Sequence, residues 1–448
     1  MHHGGRGSIV RALAGGARIF ELLSNALSGP SPDFDQSEFN PETIMKSISS
    51  KLSGALLVAA GVAAGVLPAR DAQAQARDIK IGAPLALTGP LADEAKKQEL
   101  VWKMWLEKVN AAGGINVGGT KSKVQLVQYD YQSDGQRAAQ LAEKLITDDK
   151  VDFLLSPFGS GHTKIVATIA TRYETPVIAC AASSESVFDQ SSKYLYGTLS
   201  PNVGLFGPMV KHFREKLPSL KKVAVLGRDD VFPKATAQGI SAAAKAAGLD
   251  VYYDQLYAVG TMDHSASLSA IKRGNPDWVY VTGYTQDLIL ARKQMQDLGV
   301  KAPIITMLAG PAYKEYIDGL GSLANGVTSS SWWHQATSYK GVGVWPTTEA
   351  FYKEFVAKEK SDPDYVHASC AAATVVLQDA IERAGSIDKK KVNEALAKTD
   401  ISTFYGPIKF SPNGMNQPRD LPIIQVQDKA VKVLAPSDIK NGEMALIK

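Results

Sequence analysis

Short runs rich in β-branched residues alternate with longer amphipathic stretches along most of this chain, and they do so in two successive series. Strand-then-helix alternation builds βαβ units, which bury a parallel sheet beneath helices on both faces. The first series predicts strands over 79–85, 124–129, 151–155 and 176–181, with helices over 91–112, 136–147 and 163–173. The second predicts strands over 223–226, 251–257, 278–282 and 303–306, with helices over 234–247, 265–273 and 286–298. Between them lies Pro201-Asn202-Val203-Gly204, rich in turn formers and suited to a crossing between two lobes of like construction. The last third changes character. Three helices follow in near succession over 348–358, 365–384 and 390–397, and extended chain returns at 406–410 and 423–433. Three consecutive helices have no sheet of their own to cover, so distant segments must complete a lobe.

Composition narrows the function. The 448 residues carry 49 Lys plus Arg against 45 Asp plus Glu, a formal charge of +4, without the basic stripe that nucleic-acid binding requires. Cys180 and Cys370 are far apart and lack any C-x-x-C spacing, so neither a disulfide framework nor a zinc site is implied, and two buried thiols are expected. H-E-x-x-H, G-x-S-x-G and G-x-x-x-x-G-K-[ST] are missing, and His162, His212, His264, His334 and His367 do not stand at metal-ligand spacing. No catalysis, cofactor or metal is therefore expected.

The N-terminal region reads as an export signal. Lys46 and Lys51 form a positive segment, 52–67 is an uncharged run of 16 residues, and Ala72-Gln73-Ala74 supplies a small-x-small cleavage site. The run is Ala/Gly-rich and short of the roughly 20 residues that a spanning helix needs. Residues 1–44 lie ahead of this signal and read as an upstream leader or a mis-assigned start, with 45–76 as the signal peptide. Acids and bases balance within 1–76, so the remainder keeps the +4 charge.

Two turns carry binding chemistry. Ser156-Pro157-Phe158-Gly159-Ser160-Gly161-His162 follows a strand and opens a helix, where free backbone N–H groups and the helix dipole face the C-terminal edge of the sheet. A carboxylate fits there, held by the Ser160 hydroxyl beside Gly161. The same residues also suit a plain Gly-rich turn with Ser160 as N-cap. Ala181-Ala182-Ser183-Ser184 repeats the placement and the hydroxyl supply. Trp332-Trp333-His334 falls at a second candidate crossing, and adjacent tryptophans in extended chain face opposite ways. One of them is expected in a cleft or on the surface, Trp333 and His334 being the candidates, with core packing as the alternative.

The opening Ile79-Lys80-Ile81-Gly82-Ala83-Pro84-Leu85-Ala86-Leu87-Thr88-Gly89-Pro90, followed by Val109-Asn110-Ala111-Ala112-Gly113-Gly114-Ile115, resembles the leucine/isoleucine/valine-binding protein family. Thr175-Pro176-Val177-Ile178, Asp277-Trp278-Val279-Tyr280, Gly283-Tyr284 and Gly406-Pro407-Ile408 extend the likeness over 78–448. The resemblance implies a type I periplasmic-binding fold: α/β, two Rossmann-like lobes joined by three hinge crossovers, with a solute trapped between them. The expected lobes are 78–200 plus 332–404 and 201–331 plus 405–448. It further implies a monomeric solute receptor in the periplasm serving an ABC permease of the inner membrane, or alternatively a sensor subunit presenting its ligand to a signalling receptor. By local motif, Ser160 and Ser183 match hydroxyls that hold the ligand carboxylate, and Tyr284 matches an aromatic that closes over it. Family members that bind amino acids place a Glu after the strand matching 303–306, whereas this chain reads Met307-Leu308-Ala309-Gly310-Pro311. The expectation that follows is an aromatic or hydrophobic carboxylate in preference to a branched-chain or other apolar amino acid.

Processing after Ala74 or Ala76 predicts a mature chain beginning at Gln75 or Arg77. N-terminal sequencing of exported protein checks this, and recovery of residues before Met45 would contradict it.

Overall fold

The computed structural model describes residues 77–189 and 193–447; the expected signal and leader lie outside the described residues. The first lobe begins with β1 (Ile79–Leu85), α1 (Ala92–Ala111) and a small hairpin of β2 (Ile115–Val117) and β3 (Thr120–Ser122). It continues through β4 (Val124–Asp130), α2 (Gly135–Thr147), β5 (Phe153–Leu155), α3 (Ser160–Arg172), β6 (Val177–Ala179) and β7 (Leu195–Gly197). These strands form a parallel sheet in the order β4-β1-β5-β6-β7, with Ile79 opposite Val124 and Ile81 opposite Phe153. The parallel order puts the C-terminal ends of β5 and β6, and hence both Ser-bearing turns, side by side at one edge.

The second lobe holds α4 (Val203–Lys216), β8 (Lys222–Arg228), α5 (Val231–Ala246), β9 (Asp250–Tyr257), α6 (Ser265–Arg273) and β10 (Trp278–Thr282). Next come α7 (Thr285–Asp297), β11 (Ile304–Leu308), α8 (Lys314–Leu320) and β12 (Thr328–Ser330). β10 is buried along its whole length between β8 and β11, which is why its sequence is a continuous run of strand formers rather than an alternating one.

The chain then returns to the first lobe with α9 (Thr348–Glu359), α10 (Tyr365–Ala384), α11 (Lys389–Ala397) and the hairpin β13 (Asp400–Thr403) and β14 (Gly406–Lys409). α10 lies along α1, with Trp102 Nε1 donating to the Cys370 carbonyl and Trp105 Nε1 to Gln378 Oε1, both at 3.1 Å. The segment after the hairpin also stays with the first lobe, since Asn416 Nδ2 donates to the Thr198 carbonyl at 2.9 Å. β15 (Ile423–Gln427) and β16 (Ala430–Ala435) finish the second sheet in antiparallel sense, in the order β16-β15-β12-β11-β10-β8-β9. Two α/β lobes joined by three crossings are the architecture expected from the sequence. No helix among the described residues is long and apolar enough to cross a membrane.

The cysteines correct an expectation. Both are fully buried, but they form a disulfide rather than two thiols, with a Cα–Cα distance of 4.7 Å across a sequence separation of 190. Spacing along the chain carries no trace of this pair. It arises because α10 passes the end of β6, where Ser369 Oγ also donates to the Cys180 carbonyl at 2.7 Å. The bond joins the first series to the C-terminal helices, and replacing both cysteines with serine is expected to lower unfolding stability by about 2 to 4 kcal/mol. Unreduced peptide mapping should recover the cross-linked pair; two alkylatable thiols in the native protein would contradict it.

Candidate functional site

The inner ends of the two sheets face each other across a narrow cleft. Gly159, Ala181 and Ser183 line one side and Phe232, Tyr284 and Tyr313 the other, around a cavity of about 10 Å³. That is room for a single water, so any solute larger than this requires the lobes to part.

α3 starts differently from the simple capping arrangement. Its N-cap is Gly159, with φ 85° and ψ 147°, and Ser160 is the first helical residue. The dihedral calls for glycine at 159, and a Cβ there would also press on the Tyr284 hydroxyl at 3.1 Å. Ser160 Oγ accepts from Ser183 N and Ser184 N at 3.3 Å each, stitching the two turns together and leaving its proton to donate. Ser184 Oγ in turn accepts from Asn202 Nδ2 at 3.5 Å, at the first crossing. Gly161 is crowded by the second lobe, its Cβ position being 2.9 Å from Asp230 Oδ1. The first turn of α3 thus has a carboxylate oxygen facing it from across the cleft.

Tyr284 is walled by aromatic rings, edge-on to Phe158 at 5.8 Å and stacked with Phe232 at 6.3 Å. The Arg228 guanidinium sits 5.1 Å from its ring centre. Asp287 is held through Oδ2, which accepts from Arg228 Nη1 at 2.8 Å and from Tyr284 N at 3.0 Å. Of the tryptophan pair, Trp332 lies behind the cleft wall, packed on the lining residues Phe232 at 6.0 Å and Tyr365 at 4.9 Å.

Trp333 and His334 are not brought to this cleft. They line a separate groove of about 540 Å³, bordered also by Glu315, Asp362 and Ile424. Trp333 stands edge-on to Phe351, and His334 Nδ1 accepts from Ala336 N at 3.0 Å. Burial depresses the His334 pKa to about 4, partly opposed by Asp362.

Sequence reading missed the polar face of α1. Glu94, Lys97 and Gln98 are buried on the same stripe as Val101, Trp102 and Trp105. Helical spacing alone signals this, since polar residues at i, i+3 and i+4 continue an apolar face into the first two turns. Lys97 Nζ lies 2.7 Å from both Glu315 of the second lobe and Asp364 of the first, and 4.1 Å from the Tyr313 ring centre. Glu94 Oε1 accepts from Thr285 Oγ1 across the cleft at 2.6 Å. Burial raises the Glu94 pKa, against the opposing effects of Thr285 and Lys97. Among the described residues no group of three or more His, Cys, Asp or Glu could hold a metal ion.

Two sheets facing across a hinged cleft, with a helix N-terminus and hydroxyls in one lobe and aromatic rings in the other, define a receptor for small solutes. Comparison agrees: the family model described as periplasmic binding protein matches residues 78–430, and the chain belongs to that family. It is 25% identical over 336 residues to a leucine-, isoleucine-, valine-, threonine- and alanine-binding protein of Pseudomonas aeruginosa, covering 75% of this chain and 86% of the relative. A Leu/Ile/Val-binding protein homolog of Brucella suis is 25% identical over 407 residues, covering 87% and 98%. The solved structure of a leucine binding protein from Thermotoga maritima superposes with a TM-score of 0.71 at 25% identity, covering 80% of this chain and 98% of that one.

The neutral His334 makes stability pH-dependent. An unfolded histidine protonates near pH 6.5, while His334 in the folded chain resists until about 4. The unfolded state therefore binds more protons in this window, and the contribution of His334 is lost as pH falls from 6.5 to 4, at up to about 1.4 kcal/mol per pH unit. Urea unfolding at pH 7.5 and 5 should show a shallower loss in His334→Asn; equal slopes in both proteins would contradict it.

Proposed function

We propose that this chain is the solute-binding component of an ABC importer, acting in the periplasm by capturing a small carboxylate between its lobes and delivering it to a permease, with no chemistry of its own. The observation that carries the reading is the junction of the two Ser-bearing turns. Gly159 at the α3 N-terminus and Ser183 meet at the cavity edge, with the Ser160 hydroxyl holding the second turn from behind, a placement that supplies N–H and O–H donors with a favourable dipole. The disulfide supports export, since such bonds persist in oxidising compartments.

The lobes are drawn as 78–200 with 332–417, and 201–331 with 423–447, the third crossing being placed at 418–422. This differs from a division at 404/405 because the hydrogen bonds of Asn416 hold the 405–417 segment to the first lobe. Phe158, Phe232 and Tyr284, backed by Trp332, form an aromatic wall that suits an apolar or aromatic body on the solute. The relatives named for leucine, isoleucine and valine support an apolar body as well.

Tyr284 already stands against Gly159 with room for one water, so a solute would enter with the lobes parted and be held beneath Tyr284 as they close. Ser160→Ala and Ser183→Ala each remove a hydrogen bond to a charged group, worth about 1.5 to 3 kcal/mol, or roughly 10- to 150-fold in affinity. Calorimetry with a carboxylate found by thermal-shift screening is the check. Unchanged affinity in both variants would overturn the carboxylate assignment.

A further inference from the structure

Solute capture leaves the groove beside Trp333 and His334 without a role. At about 540 Å³ it has the volume of a small-molecule site, while the central cavity has room for one water. Both lobes wall it, with Leu100 and Phe355 on one side, Ile317 and Val431 on the other, and Ser331, Trp333 and His334 contributed by the second crossing. Lys97 stands between the two spaces, touching Tyr313 on the cavity side and Glu315 and Asp364 on the groove side.

Two buried donors border this groove with nothing to meet. Trp333 is 2% and His334 7% exposed, yet Trp333 Nε1 and His334 Nε2 have no hydrogen-bond partner among the described residues. His334 Nδ1 accepts from Ala336 N, so the ring proton sits on Nε2, and burial keeps the imidazole uncharged at neutral pH. Both nitrogens therefore donate and neither accepts. A buried N–H without an acceptor is costly, and an oxygen brought in by a ligand removes that cost. The rest of the polar border is mostly of the opposite sense: Glu315, Asp318, Glu359, Asp362 and Asp364 offer carboxylate oxygens, in excess of Lys314, Lys360 and Lys429. Lys314 is itself paired with Asp318, and Lys360 Nζ donates to the Ala357 carbonyl.

The charge of an occupant follows from that pattern. An anion meets the carboxylates, and a cation meets two N–H groups that can only donate. A hydroxyl satisfies both, accepting from the nitrogens and donating to the acids. We infer that the groove is a second binding site, distinct from the solute cleft, for a neutral polyhydroxylated molecule of mono- or disaccharide size, with Trp333 Nε1 and His334 Nε2 as its donors. The inference goes beyond solute capture and does not depend on it.

A ring of fixed size at three charges tests it. D-glucose, D-glucosamine and D-glucuronate, with myo-inositol and sucrose as further neutral probes, are titrated into the full chain by calorimetry and saturation-transfer NMR. At least one neutral probe should bind, about tenfold or more tightly than either charged sugar. Trp333→Phe keeps a ring against Phe351, and His334→Asn keeps an acceptor for Ala336 N; each should weaken binding roughly threefold to tenfold, the worth of one uncharged hydrogen bond. Should either variant fail to fold, Ala430→Trp replaces it, filling the groove from an exposed position and abolishing binding. Ser183→Ala, altered at the central cavity, should leave the sugar affinity unchanged. Binding of no neutral probe, preference for a charged sugar, or an affinity untouched by the groove variants overturns the inference. So does a loss in Ser183→Ala, which would move the sugar to the central cleft. Carboxylate capture is read by its own titration and can fail or stand separately.

Discussion

The three crossings between the lobes are hydrogen-bonded to one another, and the geometry of the cleft depends on that knot. Trp332 Nε1 donates to the Ser200 carbonyl at 2.9 Å, Arg419 Nη2 to the Trp332 carbonyl at 2.9 Å, and Arg419 N to Ser200 Oγ at 3.1 Å. Ser331 N donates to the Pro422 carbonyl at 2.9 Å. Each crossing alone is a short extended segment free to twist; tied together they restrict the lobes to motion about a shared line. Trp332 belongs to the knot and also backs the cleft wall, since its ring packs on Phe232 and Tyr365. Hinge position and aromatic wall are thereby set by one residue.

Beyond the hinge, contacts made from opposite lobes hold the closed form. Lys97 bridges Asp364 and Glu315, Glu94 accepts from Thr285, and the hydroxyls of Tyr313 and Tyr365 meet. Asp364 is held well below the ordinary carboxylate range despite its burial, with Lys97 and His367 the opposing causes. Buried ionic contacts of this kind add little net stability when formed, but leave a large penalty when one partner is lost. They suit a protein that must open and shut, because hydrating the separated charges offsets much of what closure gains.

Much of the fold was legible because its strands are buried on both faces. β10 coincides with its sequence expectation over 278–282, and α6 and α10 do likewise, their ends marked by Gly274, Asp364 and Gly385. β12 was not legible, since Thr328-Ser329-Ser330 reads as polar loop. Its hydroxyls are satisfied inside the sheet, with Thr328 meeting Thr306 at 2.8 Å and Ser329 Oγ accepting from Ala309 N at 2.9 Å. α4 was hidden by the turn formers Gly204, Gly207 and Pro208, which the helix incorporates. Of the site, the two Ser-bearing turns could be read from strand-end position, whereas Tyr284 came from the family resemblance alone. The choice between Trp332 and Trp333, the cysteine pair and the role of α1 are tertiary outcomes; only the helical spacing of Glu94 and Lys97 left a mark in sequence.

The central claim is that binding of a carboxylate closes two lobes about the Trp332–Arg419 knot. Small-angle X-ray scattering of the ligand-stripped protein, titrated with carboxylates that raise its melting temperature, measures this directly. The account predicts a smaller radius of gyration at saturation, with Ser160→Ala requiring more solute to reach the same contraction. A radius that stays constant through saturation would contradict it.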